Sequence, residues 1–497
     1  MPKPEKSLFK TYSKESENLS ERGIEYNTTD TGNSDRFIEQ YPDVKYIGEF
    51  GAEGWHEWDN TRYVPTGKKI LELGKAAVRS IYDEARDCED TVGRNALTKW
   101  AQSSQSRSRI EDMLKLAAGR AQVSVNQFDN DLLAINCRNG VVDLATGDLV
   151  RHSVDQMNLK RVEASYAPGK RSDLWEKFLS DIFLGDKDLI HYVKVALGYS
   201  LTGTTREHKL FIAYGSGQNG KSTLLETILE IMGDYGRVAE FEAFLVSDKS
   251  SNSRSLEATG TLRGARFAVA SETNNSKRWD EAMVKRLTGG DKLRGSRLHN
   301  ASYEFVPTHH LWFMANHLPT VRDASESFWR RPEIIPFKAR FPESSRDAKL
   351  KEKLLTERDA VFTWLVEGAI EYIESGLPEL PQVCKDAKEK YRYDNDYLSG
   401  FIDDKLVKEA GAIMPLAEVY ELYQQWCFAN SIQDTLQRKY FSANMEERGV
   451  LRGPRKNYGE TFIGVRKKEP DFLEAANDNS LKTNLSNFDL MRQLKTN

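Results

Sequence analysis

One stretch of this chain has the residue types and spacing to hold a phosphate: Gly215-Ser216-Gly217-Gln218-Asn219-Gly220-Lys221-Ser222, followed by Thr223. It satisfies GxxxxGK with a closing Ser or Thr. Glycines at these positions let backbone N–H groups turn inward around a β-phosphate, and a helix N-terminus behind them adds partial positive charge. In such a loop Lys221 reaches the β- and γ-phosphates, and the Ser222 hydroxyl ligates Mg²⁺. Gly215, Gly217 and Gly220 also spell GxGxxG, a dinucleotide fingerprint. Lys221 and Ser222 separate the two readings, because a dinucleotide pyrophosphate needs neither the amine nor a metal-binding hydroxyl. The expected ligands are therefore ATP and Mg²⁺.

Hydrolysis needs more than binding, and three downstream features could supply it. Arg266 to Ser271 is a short apolar strand ending in Glu272, a carboxylate placed to polarise an attacking water and help hold Mg²⁺ through its water shell. Ser271 stands where many phosphate-loop ATPases carry a first acid. His310 to Ala315 is another such strand, ending in Asn316, whose amide could orient the water and sense the γ-phosphate. Phe328-Trp329-Arg330-Arg331-Pro332 then offers a tandem arginine. A guanidinium there can stabilise transition-state charge in a neighbouring subunit's site. The sequence leaves open whether Arg330 or Arg331 is that finger.

The elements that must position these groups follow from periodicity. Leu210 to Tyr214 reads as a buried strand entering the loop, and Leu224, Leu225, Ile228, Leu229 and Met232 share one face of the helix leaving it. Upstream, the aromatic-rich segment from Phe37 to Tyr63 leads into helical patterns at 68–85 and 94–119. LLAINCRNGVVDLATGDLV then reads as short strands joined by Asn-Gly and Thr-Gly-Asp turns. The expected organisation is a flexible tail at 1–28, a mainly helical domain at 29–195 and an α/β nucleotide-binding domain at 196–345. A helical linker at 346–396, a unit of amphipathic helices at 397–468 that resembles a winged helix, and a second flexible tail at 469–497 follow.

Composition narrows the function classes. The chain has 497 residues, 29% of them charged, and a net charge of −4, so any positive surface for nucleic acid must be local. Cys88, Cys137, Cys384 and Cys427 are isolated and form no CxxC pair, which argues against a zinc site or disulfide framework and for a reducing cytoplasm. No segment is long and apolar enough to span a bilayer, and the polar start is unlike a signal peptide.

The order of these features resembles superfamily-three helicases. In particular, VKRLTGGDKLRGSRLHNASYEFVPTHHLWFMANHLP resembles the third and fourth motifs of the phage and plasmid primase-helicase family, which is related to the poxvirus replication NTPase. NGVVDLATGDL and the approach to the phosphate loop are also similar to that family, as are TDTGNSDRF and GWHEWDNTRYVP. The resemblance implies an AAA+-type P-loop core and a ring, expected to be a homo-hexamer, that hydrolyses ATP while translocating on single-stranded DNA and unwinding forks during replication. It further implies a hairpin that enters the central channel. The basic or titratable groups there are Lys285, Lys292, Arg294, Arg297 and His299, with His299 where relatives commonly carry a lysine. A primase or polymerase would be the partner, and a bacterial host cytoplasm the setting. The competing reading is an ATP-binding initiator or primase-associated scaffold without strong unwinding activity. Primer synthesis by this chain itself is not expected, since Asp129 and Asp131, the one suggestive carboxylate pair, precede the hairpin region of the helicase type.

Overall fold

The computed structural model describes residues 26–468 except 241–243, 247–251, 273–277, 297–301, 322–324, 431 and 433–434. Both expected tails, 1–28 and 469–497, lie almost wholly outside the described residues. The chain forms two compact units. One comprises Met1–Pro319 with Arg330–Cys384, the other Thr320–Trp329 with Lys385–Asn497.

The first unit begins with helices Asp30–Gln40, Lys69–Arg79 and Arg107–Arg120. Their apolar stripes meet in a core that includes Phe37, Ala77, Val78, Ile110 and Met113, as helical spacing requires. The aromatic segment between the first two holds a short 3-10 helix, Gly48–Glu53, and strands. Trp55–Trp58 and Tyr63–Pro65 are strands, and they join Lys45–Ile47 and Gln122–Val123 in a four-stranded sheet. Closely spaced aromatics suit a pleated, half-buried surface, so short strands stand here among elements that are otherwise mainly helical. Ala134–Cys137, Gly140–Asp143 and Leu149–Val150 form the meander expected from the Asn-Gly and Thr-Gly-Asp turns.

The centre of the unit is a parallel sheet of five strands: β1 (Leu210–Tyr214), β2 (Gly236–Val238), β3 (Phe267–Ser271), β4 (His310–Ala315) and β5 (Pro332–Pro336). Their order is β5-β1-β4-β3-β2, and every neighbouring pair is parallel. Parallel strands are covered on both faces, which explains why β1, β3 and β4 read as apolar runs rather than alternations. Phe211 of β1 stacks on Trp312 of β4 at 4.6 Å, and the Trp312 indole donates to Ser200 Oγ at 2.9 Å. Helix α1 (Lys221–Met232) packs its Leu224, Leu225, Ile228, Ile231 and Met232 into the same core.

Helices Lys187–Tyr199 and Arg358–Ser375 cross against one another in this core. Their backbones touch: a Cβ at Gly198 would lie 2.1 Å from Gly368 C, and one at Gly368 would lie 2.3 Å from Lys194 O. The stretch expected as a linker, 346–396, is thus partly interior. Val361, Phe362, Leu365 and Ala369 are fully buried with the sheet, because two glycines let the helix approach closely enough to shed water.

The second unit contains helices Tyr397–Lys405, Leu416–Ala429 and Arg438–Glu447. Strands Leu406–Pro415, Gly459–Lys467 and Leu451–Lys456 form an antiparallel sheet in that spatial order. Phe401, Val419, Tyr423, Cys427, Phe441, Met445 and Phe462 are its core. Val419, Tyr423 and Trp426 of helix 416–429 therefore pack inward, while Phe428 is exposed.

Among the described residues no helix is long and apolar enough to cross a membrane. Two predictions follow from the packing. Gly368→Ala must separate two touching backbones and should destabilise the fold by about 1–3 kcal/mol, seen as a lower thermal midpoint in circular dichroism. His309 and His310 are buried at the start of β4, and burial pushes them down to about 3 and about 4. An unfolded histidine protonates near 6.5, so the unfolded chain gains protons first. Stability should be full above pH 6.5 and fall as pH drops toward 4, measurable as a declining urea midpoint.

Candidate functional site

The loop after β1 is a run of left-handed backbone: Gly217, Gln218 and Gly220 have φ of +89°, +53° and +88°. At Gly220 a Cβ would also meet Ile182 Cγ2 at 2.4 Å, so a side chain there is excluded twice over. The loop closes through Gly217 N–H to Gly215 O (2.9 Å), and the Phe341 N–H donates to Gln218 O at 2.9 Å. Asn219 is buried and donates from Nδ2 to Phe337 O at 3.2 Å. A Cβ at Gly215 would fall 2.4 Å from that amide nitrogen. Glycine at 215 is what lets Asn219 lie across the loop.

Helix α1 starts directly from the loop with Gly220 as its N-cap and no side-chain cap. The first-turn N–H groups of a helix have no partner within it, and here they emerge at the end of a glycine loop. Lys221 is buried, yet its ammonium donates to Gly215 O, to Asn219 Oδ1 at 3.2 Å and to Asn316 Oδ1 at 3.2 Å. Burial pushes its pKa down and the nearby Glu272 carboxylate opposes that shift. Ser216, Gln218 and Ser222 are exposed, while Thr223 is half-buried. Uncapped N–H groups, an exposed hydroxyl and a confined amine fit the phosphates of a nucleotide.

Glu272 follows β3 and Asn316 follows β4. The Glu272 N–H continues the ladder to Met314 O at 2.9 Å. Its carboxylate Oε2 accepts from the backbone N–H groups of Asn316 (2.6 Å) and His317 (2.9 Å). Two backbone donors fix the carboxylate's direction more firmly than a flexible side chain would. Lys221, Glu272 and Asn316 are thereby joined in one hydrogen-bonded group at the C-terminal edge of the sheet. This is where open α/β sheets hold their ligands.

The two arginines separate. Arg331 is buried, donates from Nε to Thr288 Oγ1 at 3.0 Å, and has its pKa lowered by burial and then by Arg330. Arg330 is exposed. Nothing in the sequence marks Thr288 as a partner of Arg331, since 43 residues part them.

Residues Lys292 and Arg294 stand on a different feature, the hairpin that pairs Leu293–Gly295 with Tyr303–Phe305. Both side chains are exposed, and Arg294 donates to Ser302 Oγ at 3.0 and 2.7 Å. Lys285 is half-buried on helix Glu281–Leu287. Arg297 and His299 lie outside the described residues. Asp129 is paired with Lys160 at 2.8 Å, and Asp131 Oδ1 accepts from the Leu133 N–H at 3.0 Å, so each carboxylate is engaged in holding local backbone or a lysine. Among the described residues no group of three or more His, Cys, Asp or Glu could cage a metal. A Mg²⁺ held by Ser222 and phosphate oxygens, with Glu272 acting through water, would need no such cage.

Fold and site together define a mixed α/β protein with a glycine loop, a buried lysine and a fixed carboxylate at one sheet edge. A family described as D5 N terminal like matches residues 34–184, and a family of unknown function, DUF5906, matches 213–331. A candidate helicase of Acanthamoeba polyphaga mimivirus is 25% identical over 62% of this chain and 34% of its own length. A candidate helicase of Invertebrate iridescent virus 3 is 22% identical over 81% and 50%. A candidate primase of African swine fever virus is 20% identical over 70% and 40%. The chain thus spans a third to a half of these relatives. The solved C-terminal region of NrS-1 is similar at TM-score 0.36 and 14% identity, over 62% of this chain and 80% of that one, a likeness too low to carry an argument. These matches support a relation to the helicase- and primase-named replication proteins of viruses.

The different settings of the arginines yield a prediction. Arg331→Ala removes a buried charged hydrogen bond and should cost roughly 1.5–3 kcal/mol, lowering the thermal midpoint. Arg330→Ala should leave that midpoint unchanged.

Proposed function

We propose that this chain is an ATP-hydrolysing DNA helicase of the superfamily-three type, with an AAA+-type P-loop core, acting as a ring, a hexamer in this reading. The observation that carries the reading is the joining of Lys221, Glu272 and Asn316 at one sheet edge. The strand order is what makes it informative: β4 lies between β1 and β3, so the phosphate loop and the carboxylate are held one strand apart.

Residues Gly215 to Thr223 would wrap the nucleotide phosphates with backbone N–H groups, and Lys221 would turn its ammonium to the β- and γ-phosphates. Ser222 would hold Mg²⁺, which draws charge from the phosphate oxygens when bound. Glu272 would accept the proton of the attacking water, already aimed by its two backbone donors. Asn316 would orient that water and link it to Lys221. Arg330, exposed where Arg331 is tied down, would reach a neighbouring subunit's site as the arginine finger. Lys285, Lys292 and Arg294, with Arg297 and His299 beyond them, would track phosphates of single-stranded DNA. The helicase and primase names of the relatives support DNA as substrate and a primase or polymerase as partner.

The expected results separate binding from chemistry. Lys221→Ala should lose ATP binding, whereas Glu272→Gln should bind ATP but lose roughly 10²–10⁴-fold in hydrolysis. Wild-type turnover in Glu272→Gln would remove it as the base. Mixing Arg330→Ala with Lys221→Ala subunits should restore part of the ATPase, because each supplies what the other lacks. Strand displacement on a fork, driven by ATP, distinguishes a helicase from a nucleotide-dependent scaffold.

A further inference from the structure

A cavity of about 990 Å³ lies at the N-terminal end of the parallel sheet, opposite the edge that carries Gly215, Glu272 and Asn316. That volume falls within the roughly 300–1,000 Å³ typical of small-molecule sites. Tyr235 and Arg266, which precede β2 and β3, line it and are buried, with the guanidinium 5.0 Å over the Tyr235 ring. The N-terminal region adds Phe50, His56, Tyr63 and Phe128. Thr261, Arg263 and the hairpin residue Tyr303 also line it.

The lining carries a cation with one edge free. Arg237 is half-buried, and its Nη1 donates to Asp234 O at 3.0 Å and to Gly236 O at 2.7 Å. Those two bonds fix the plane of the guanidinium. Nε and Nη2, the parallel N–H pair that grips a carboxylate or phosphate, have no partner among the described residues and are not sealed from solvent. Burial holds the Arg237 pKa below its usual value, and no carboxylate among the described residues offsets that shift. Two lining carboxylates are already engaged: Asp129 with Lys160 at 2.8 Å, and Asp234 with Arg62 and the Arg161 N–H. Glu257 and Glu304 are exposed, where water and salt screen them.

His56 supplies a different group. It is buried, and its Nδ1 lies 3.0 Å from Gly54 O. A carbonyl only accepts, so Nδ1 holds the proton. Burial lowers the ring's pKa, which leaves it neutral at neutral pH. Nε2 is then an acceptor without a partner among the described residues. An anion-gripping edge and a lone acceptor among aromatic rings match the two ends of a nucleotide. We propose that this cavity is a second nucleotide site, taking a free nucleoside monophosphate with its phosphate on Arg237 and a base N–H on His56 Nε2. The buried Tyr235 and Arg266 close the cavity at the sheet, whereas a continuous strand needs two ways out. A phosphate loop reads β- and γ-phosphates, so a monophosphate separates the two sites.

The test is isothermal titration calorimetry of 5′-AMP into the full chain carrying Lys221→Ala, which removes the phosphate-loop site. One AMP should bind per chain. Adding Arg237→Gln should weaken that binding roughly 10–100-fold, the loss of a charge-assisted hydrogen-bonded pair. Adenosine, which lacks the phosphate, should bind the Lys221→Ala chain about as weakly as AMP binds the double variant. Thr261→Trp, at an exposed lining position, should block the cavity and abolish AMP binding with the thermal midpoint unchanged, which separates a filled site from a misfolded chain. If Lys221→Ala binds no AMP, or if neither added variant weakens the binding, the proposal is overturned. A chain that takes up a short oligodeoxyadenylate but not AMP overturns it too, in favour of a strand site. The proposal does not rest on the helicase reading: AMP binding at Arg237 in a chain whose wild type lacks ATPase would keep this site and remove that reading.

Discussion

The register of three parallel strands is the constraint on which the candidate site depends. Tyr214 lies opposite Ala315, and Met314 lies opposite Ser271. One residue further along, Gly215, Asn316 and Glu272 therefore emerge at the same edge. Because side chains alternate across a strand, a slip of a single residue would turn Glu272 or Asn316 to the other face of the sheet. The ladder continues past the strand ends, through the Gly215 N–H to Ala315 O at 3.2 Å and the Glu272 N–H to Met314 O at 2.9 Å. The functional groups thus inherit their positions from backbone hydrogen bonds, not from flexible side-chain contacts.

That ladder is held straight by what covers it. Trp312 stacks on Phe211 on one face and is anchored at its nitrogen by Ser200. The Lys187–Tyr199 and Arg358–Ser375 helices, joined at Gly198 and Gly368, seal the same layer. A buried indole with a satisfied N–H both excludes water and resists rotation. Rigidity behind the strands permits a strained loop in front of them. Gln218 adopts a left-handed backbone that costs free energy at a non-glycine position, and the surrounding bonds to Phe337 and Phe341 hold it there.

Charge is distributed with the same economy. Lys221 has little access to water, and burial alone would favour its neutral form, but three oxygens and the neighbouring Glu272 surround it. Such an amine has lost most of its hydration before any anion arrives, so an approaching phosphate has less water to displace. Arg331 shows the opposite use of a cation, spent on Thr288 inside the fold. Two adjacent arginines with the same chemistry are thus divided by burial into a structural one and an exposed one.

Much of this was legible in the sequence. The glycine loop at 215–222, the apolar strands ending in Glu272 and Asn316, and the meander at 134–150 all follow from local residue type and period, which chain neighbours set by themselves. Three things did not follow. The aromatic segment 55–65 became strands, since aromatic spacing alone does not separate strand from loop. Helix 358–375 falls within the expected linker yet packs into the core, and the glycine that lets it do so, Gly198, is 170 residues from its partner Gly368. Arg330 and Arg331 were indistinguishable, because their difference is burial against Thr288, and burial is a property of the folded whole. By itself the sequence determined which chemical groups the chain possesses and the local elements that carry them. Only the tertiary structure decided which groups meet, because register and close helix crossing join residues that no local pattern connects.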